Sequence, residues 1–132
     1  MSDNLVYLDS SAFVKMIIIE QESAELERFL LTDKRLMSSE LLQTEARRAV
    51  MRVHPRYKMV VEQQLTGISL IGVSTDILVT AGFLGPVGLR SLDAIHLATA
   101  LTLGNDLKVL VTYDTRMAEA AKALGLNVQT PS

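Results

Sequence analysis

Apolar positions along the chain fall into two rhythms. Five short runs, at residues 5–9, 36–38, 69–73, 108–112 and 127–129, read as strands. The longer segments between them carry apolar residues at helical spacing. Strands alternating with helices in this way predict an α/β fold, a mostly parallel sheet covered on both faces.

The helix signals sharpen that reading. Ser38 or Ser39 is placed to cap a helix that runs to about residue 53, where His54-Pro55 interrupts it. Within it Leu42, Ala46, Ala49, Val50 and Val53 form an apolar stripe. At 100° per residue, Glu45 borders that stripe, Arg48 and Arg52 fall on its side, and Arg47 points further away. A helix is expected over 75–84. Ser91 can cap another over 92–103, apolar nearly all round and so buried. The last helix starts at Asp114 or Thr115 and ends at Gly125, a residue suited to the left-handed terminating position.

Composition adds constraints. The 132 residues, 48% hydrophobic and 21% charged, fit one globular domain spanning residues 1–132, with no repeats or linker. The absence of cysteine excludes disulfides and thiolate metal sites and fits a reducing compartment. Residues 1–10 lack a signal-peptide pattern, and Met16-Ile17-Ile18-Ile19 is too short to span a bilayer, so no membrane association and a cytoplasmic location are expected. A net charge of −2 gives no overall attraction for nucleic acid. Residues 47–58, however, hold five Lys/Arg and no acid. Such a segment reads as a solvated helix face or as a phosphate-binding patch.

Four acids stand out by position. Asp9 ends the first strand, Asp114 follows the fourth, Asp93 lies in the first turn of a buried helix, and Glu45 borders the stripe of another. Ligands of doubly wound sheets bind beyond the carboxyl ends of the strands, where the winding reverses. If strands 1 and 4 are neighbours, Asp9 and Asp114 both face that crevice. Each acid also has an ordinary role: Asp114 and Asp9 as helix caps, Asp93 against a helix dipole, Glu45 paired with Arg48 or Arg52. Clustered carboxylates repel one another, so a site holding several takes up cations or protons. Oxygen donors without cysteine favour Mg2+ or Mn2+ over zinc, and such an ion suits phosphodiester hydrolysis.

The segments YLDSSAFVK (7–15), SSELLQTEARRA (38–49), SLDAIHLATAL (91–101) and VTYDTRMAEAAKALGL (111–126) resemble the PIN-domain nucleases, in particular the VapC-like ribonuclease toxins of toxin–antitoxin pairs. The family's four acidic motifs fall on Asp9, Glu45, Asp93 and Asp114, in order and over essentially the whole chain. The resemblance implies a five-stranded parallel sheet in order 3-2-1-4-5. It also implies a metal-dependent endoribonuclease leaving a 5′-phosphate and a 3′-hydroxyl. Asp9 and Asp93 would be the principal Mg2+ or Mn2+ ligands, with Glu45 and Asp114 completing the pocket. Ser10 and Thr112 match hydroxyl positions that support these acids. His96, one turn after Asp93, is read as a hydrogen-bonded structural histidine. Lys15 matches a position where the family often has a basic residue, and a solvated lysine is the alternative. Arg47 is left freest for RNA, with Arg48 and Arg52 holding Glu45. The glycine-rich segment 82–88 matches no functional motif.

The resemblance further implies a small antitoxin partner that can place an Arg in the acidic pocket, and a homodimer. Phe13, Val14, Ile17 and Ile18, with Leu26, Phe29 and Leu30, offer either docking surface or core. The rivals are a PIN nuclease of RNA processing and a catalytically silent PIN binding module, against which the intact acidic set argues. A phosphoacceptor domain is a weaker rival, because strand 1 offers one acid and strand 5 no lysine.

Overall fold

A computed structural model describes residues 4–31 and 34–132. The strands are β1 (Leu5–Leu8), β2 (Arg35–Ser39), β3 (Ser69–Ile71), β4 (Leu107–Val111) and β5 (Val128–Gln129). The helices are α1 (Ser10–Lys15), α2 (Ser23–Leu30), α3 (Leu42–Val53), α4 (Lys58–Leu65), α5 (Thr75–Phe83), α6 (Ser91–Leu101) and α7 (Thr115–Ala123). All strand pairings are parallel, in the order β3-β2-β1-β4-β5. The expected sheet and order are therefore observed, with boundaries displaced by a residue or two.

Central β1 is buried along its length and divides the core by its pleat. Val6 and Leu8 point to a cluster with Phe13, Leu26, Leu42, Val50 and Val61, drawn from α1 to α4. Tyr7 points the other way, to Leu97, Leu110, Met117 and Ala121 of α6, β4 and α7. This alternation leaves residue 9 just beyond the strand, where β1 lies beside β4 in the register Leu8↔Val111. The chain winds from β1 toward β2 on one side and from β4 toward β5 on the other, so that edge is a topological switch point.

Local chemistry explains the helix ends. His54 is extended (φ −170°, ψ 140°), as a residue before proline prefers, so α3 stops at Val53. Its buried face is Leu42, Ala46 and Val50, whereas Val53, expected in the stripe, is 54% exposed in the last turn. Helix α7 ends in a Schellman motif: the Gly125 N–H donates to the Lys122 carbonyl and the Leu126 N–H to that of Ala121. Gly125 takes φ +85°, which a residue without Cβ adopts at little cost.

One expectation about helices is corrected. The caps assigned to Ser38, Ser39 and Ser91 are not formed: α3 and α6 start from Leu41 and Arg90 with no side-chain cap. Ser39 instead accepts a hydrogen bond from the Leu41 N–H in the turn between β2 and α3. Of the two readings of Phe13, Ile17 and Leu26, docking surface or core, the core is observed, since all three are buried. Among the described residues no helix is long and apolar enough to cross a membrane.

Candidate active site

Asp9 follows β1 directly and is the N-cap of α1. Its Oδ1 accepts from the Ser11 hydroxyl (2.6 Å) and the Ala12 N–H (3.0 Å), and Oδ2 from the Thr112 hydroxyl (2.5 Å). The residue is 4% exposed. Burial raises its pKa above the ordinary value, while those same three bonds pull it down. Thr112, just past the end of β4, also accepts the Asp114 N–H at 3.1 Å, tying the two acidic turns together.

Asp114 caps α7, accepting from the Met117 N–H at 3.0 Å. Asp93, in the first turn of α6, is half-buried. Its pKa is raised first by burial and then by the neighbouring negative charges of Asp114 and Asp9, against the opposing pull of Arg90. Arg90 is a loose partner, with Nε 3.9 Å from Asp93 Oδ2. Glu45 comes from α3 on the other side of the opening. Its Oε1 lies 2.6 Å from Nε2 of His96, whose Nδ1 lies 2.7 Å from the Tyr7 hydroxyl.

A pocket of 310 Å³ is lined by Glu45, Arg90, Ser91, Leu92, Asp93 and Asp114. Beside it, sharing Glu45 and Leu92, a groove of 650 Å³ runs between α1 and α3, past Ser10, Ser11, Lys15, Arg48, Arg52 and Tyr113. Glu45, Asp93 and Asp114 therefore line one pocket, while buried Asp9 is near enough to Asp93 for its charge to raise the Asp93 pKa.

Their chemistry fits a hard divalent cation: all are oxygen donors, and Asp93 is raised by its acidic neighbours in a way that a cation relieves. Their present rotamers do not gather them. Asp9, Asp114 and Glu45 are turned to Ala12, Met117 and His96 respectively. Among the described residues no three His, Cys, Asp or Glu side chains stand close enough to hold a metal ion.

The supporting residues differ from expectation. Ser11 makes the bond to Asp9 and accepts the Tyr113 N–H, whereas Ser10 lines the groove. The capping geometry explains this: the hydroxyl at the second position of α1 turns back to the cap carboxylate. Arg47 is not free, because Nε and Nη2 make a bidentate pair with Glu62 of α4 at 2.7 and 2.8 Å. Arg48 and Arg52 are the arginines on the groove, and Glu45 is held by His96 rather than by them. Lys15 is not solvated: it bonds Glu20 and Glu22, each at 3.0 Å, and sits 4.8 Å from the centroid of the Tyr113 ring. The 82–88 segment contains a cis Gly85-Pro86 bond. With α7 it borders a separate groove of 720 Å³ that includes none of the four acids. The contribution of Tyr7 was missed. Its one sequence signal is a hydroxyl in a strand whose other three residues are aliphatic.

Comparison with known proteins bears on the family and the fold. The model of the PIN domain family matches residues 6–123. Ribonuclease VapC46 of Mycobacterium tuberculosis is 46% identical over 127 residues, spanning 96% of this chain and 98% of its own. The structure of M. tuberculosis VapC20, described as a sarcin–ricin loop cleaving toxin, matches with a TM-score of 0.76 at 16% identity, over 96% of this chain and 99% of that one. A toxin–antitoxin complex from Klebsiella pneumoniae contains a chain that matches with a TM-score of 0.70 at 19% identity, over 96% and 98%.

Proposed function

The chain belongs to the PIN domain family, and on that premise we propose that it is a metal-dependent endoribonuclease, the toxin of a toxin–antitoxin pair, with residues 1–132 as one PIN domain. The observation that carries this reading is the pocket lined by Glu45, Asp93 and Asp114, with Asp9 tied to the Asp114 turn through Thr112. The kinship with ribonuclease VapC46 supports RNA as the substrate.

Asp93 and Asp114, lining the pocket, would hold Mg2+ or Mn2+ together with Asp9 and Glu45. When bound, the ion supplies positive charge for a phosphodiester and lowers the pKa of nearby water. Ser11 and Thr112 fix the Asp9 carboxylate, and His96 fixes Glu45. Arg48 and Arg52, one and two turns beyond Glu45 on α3, would bind phosphates of the RNA strand along the groove. Products would carry a 5′-phosphate and a 3′-hydroxyl.

The direct test is cleavage of a mixed-sequence single-stranded RNA with Mn2+ or Mg2+, and its loss with EDTA. Full cleavage after chelation would refute the mechanism. In the same protein Mn2+ is expected to raise Tm by roughly 10 °C at a hundred times its dissociation constant, where ligand linkage contributes about 2.7 kcal/mol. The Asp93→Asn/Asp114→Asn double variant should lose that rise in differential scanning fluorimetry.

Removing both groove arginines, Arg48→Ala/Arg52→Ala, should raise KM for RNA and flatten its salt dependence by about 1.4 in the slope of log affinity against log salt. Arg47→Ala, already paired with Glu62, should leave that slope unchanged.

A small antitoxin, working in the cytoplasm beside its toxin, is the proposed partner. The cleft of 380 Å³ where Met16, Ile19, Leu30, Leu31 and Leu36 meet would take its apolar side chains. A homodimer is the proposed assembly, with the exposed Val79, Phe83 and Val87 as available apolar surface. Light scattering and a short reading frame beside this one would test those two assignments.

A further inference from the structure

Tyr7, His96 and Glu45 lie on β1, α6 and α3, three elements brought together only by the fold. Two short contacts join them: Tyr7 Oη to His96 Nδ1 at 2.7 Å, and His96 Nε2 to Glu45 Oε1 at 2.6 Å. The Tyr7 and His96 rings also pack edge to face, with centroids 5.8 Å apart and planes at 79°. Tyr7 and His96 are wholly buried, whereas the Glu45 side chain is 19% exposed and lines both the acidic pocket and the basic groove. The contacts thus run from the core to the rim of the site.

We propose that Tyr7 and His96 form a positioning relay that holds the Glu45 carboxylate at the pocket, with His96 locked as its Nε2–H tautomer. This rests on the nuclease reading for its catalytic consequence, but not for its geometry. A carboxylate only accepts hydrogen bonds, so the nitrogen 2.6 Å from Glu45 must carry a proton. Neutral imidazole then has a bare Nδ1, which accepts from the Tyr7 hydroxyl. The opposite tautomer would set the Nε2 lone pair against the carboxylate. A buried imidazole needs a partner for its second nitrogen as well. Here that nitrogen reaches an acid on the active-site rim, the arrangement by which outer residues orient those that act on substrate.

The chain has only two histidines, so long-range 1H–15N spectra of the full-length protein resolve His96 directly, with His96→Gln identifying its signals. A protonated Nε2 and unprotonated Nδ1 are expected, and Tyr7→Phe should shift the Nδ1 resonance as that nitrogen loses its donor, with Nε2 still protonated beside Glu45. A protonated Nδ1 in the wild type, or a spectrum unmoved by Tyr7→Phe, overturns the relay. With Mn2+ and single-stranded RNA, folded Tyr7→Phe should lose about tenfold in kcat with KM nearly unchanged, as expected for a lost outer partner. His96→Gln, which restores an N–H near the Nε2 position, should retain more activity than His96→Ala. Equal losses in those two variants, or full kcat in Tyr7→Phe, would reduce the pair to core packing and refute the relay. If the wild type cuts no RNA, the nuclease reading fails and the spectra alone decide the relay.

Discussion

Asp9→Asn is expected to lower RNA cleavage at least about 100-fold, beyond what outer supporting residues contribute, while leaving the fold intact. The substitution replaces the acid at the end of β1 with a neutral amide of almost the same volume. Its hydrogen bonds can be rearranged. The Asn carbonyl keeps the Ser11 and Ala12 donors, and the amide group then donates to Thr112. The Thr112 hydroxyl has a new acceptor available in Ser11 Oγ, 3.3 Å away.

The same variant should not melt below the wild type at neutral pH. Burial holds the Asp9 carboxyl above its ordinary value of 3.8 in spite of its three donors. An acid raised in the folded state stabilises the fold below its unfolded pKa, and that contribution is lost as pH rises through the folded value. Ionising the wild-type carboxyl therefore costs stability as pH rises, a cost the Asn variant does not carry. The Tm of Asp9→Asn minus that of wild type should grow from about pH 4 toward neutrality in metal-free buffer. A variant that melts far below wild type across this range would instead make the carboxylate a structural necessity.

Phe13→Ala should cost about 3–5 kcal/mol in denaturant unfolding, as deletion of a fully buried aromatic side chain does. Phe13 has no exposed surface and packs with Val6, Leu8, Leu26 and Leu42 in the cluster that holds α1 on the sheet. That helix begins at Asp9, so its displacement would also loosen the Ser11 and Ala12 donors. By contrast Ile19 and Leu31, 76% and 75% exposed, should each change stability by no more than about 0.5 kcal/mol when truncated to Ala. Those two are the better probes of antitoxin docking. Stability of Phe13→Ala within 1 kcal/mol of wild type, a threshold well below the usual cost, would contradict the core assignment.

These contrasts follow from the range over which the chain encodes each feature. Strand runs, helical stripes, the stop at Gly125 and the break at His54-Pro55 depend on residues within about a turn of one another, so they are legible in order along the chain. The sheet order and the four acidic positions came from resemblance together with the switch-point argument, and the observed β1–β4 pairing agrees with both. The capping readings of Asp9 and Asp114 hold as well, since one carboxylate can end a strand, cap a helix and face a crevice.

Side-chain partners across elements were not legible. A helical wheel places Arg48 and Arg52 beside Glu45 and leaves Arg47 outside, but it knows nothing of α4, whose Glu62 captures Arg47. Glu45 meets His96 across 51 positions, and Thr112 meets Asp9 across 103. Periodicity assigned each residue to a face of its own element. Packing of the elements against one another chose its partner, because hydrogen bonds and ion pairs form over a few ångströms of space regardless of separation along the chain.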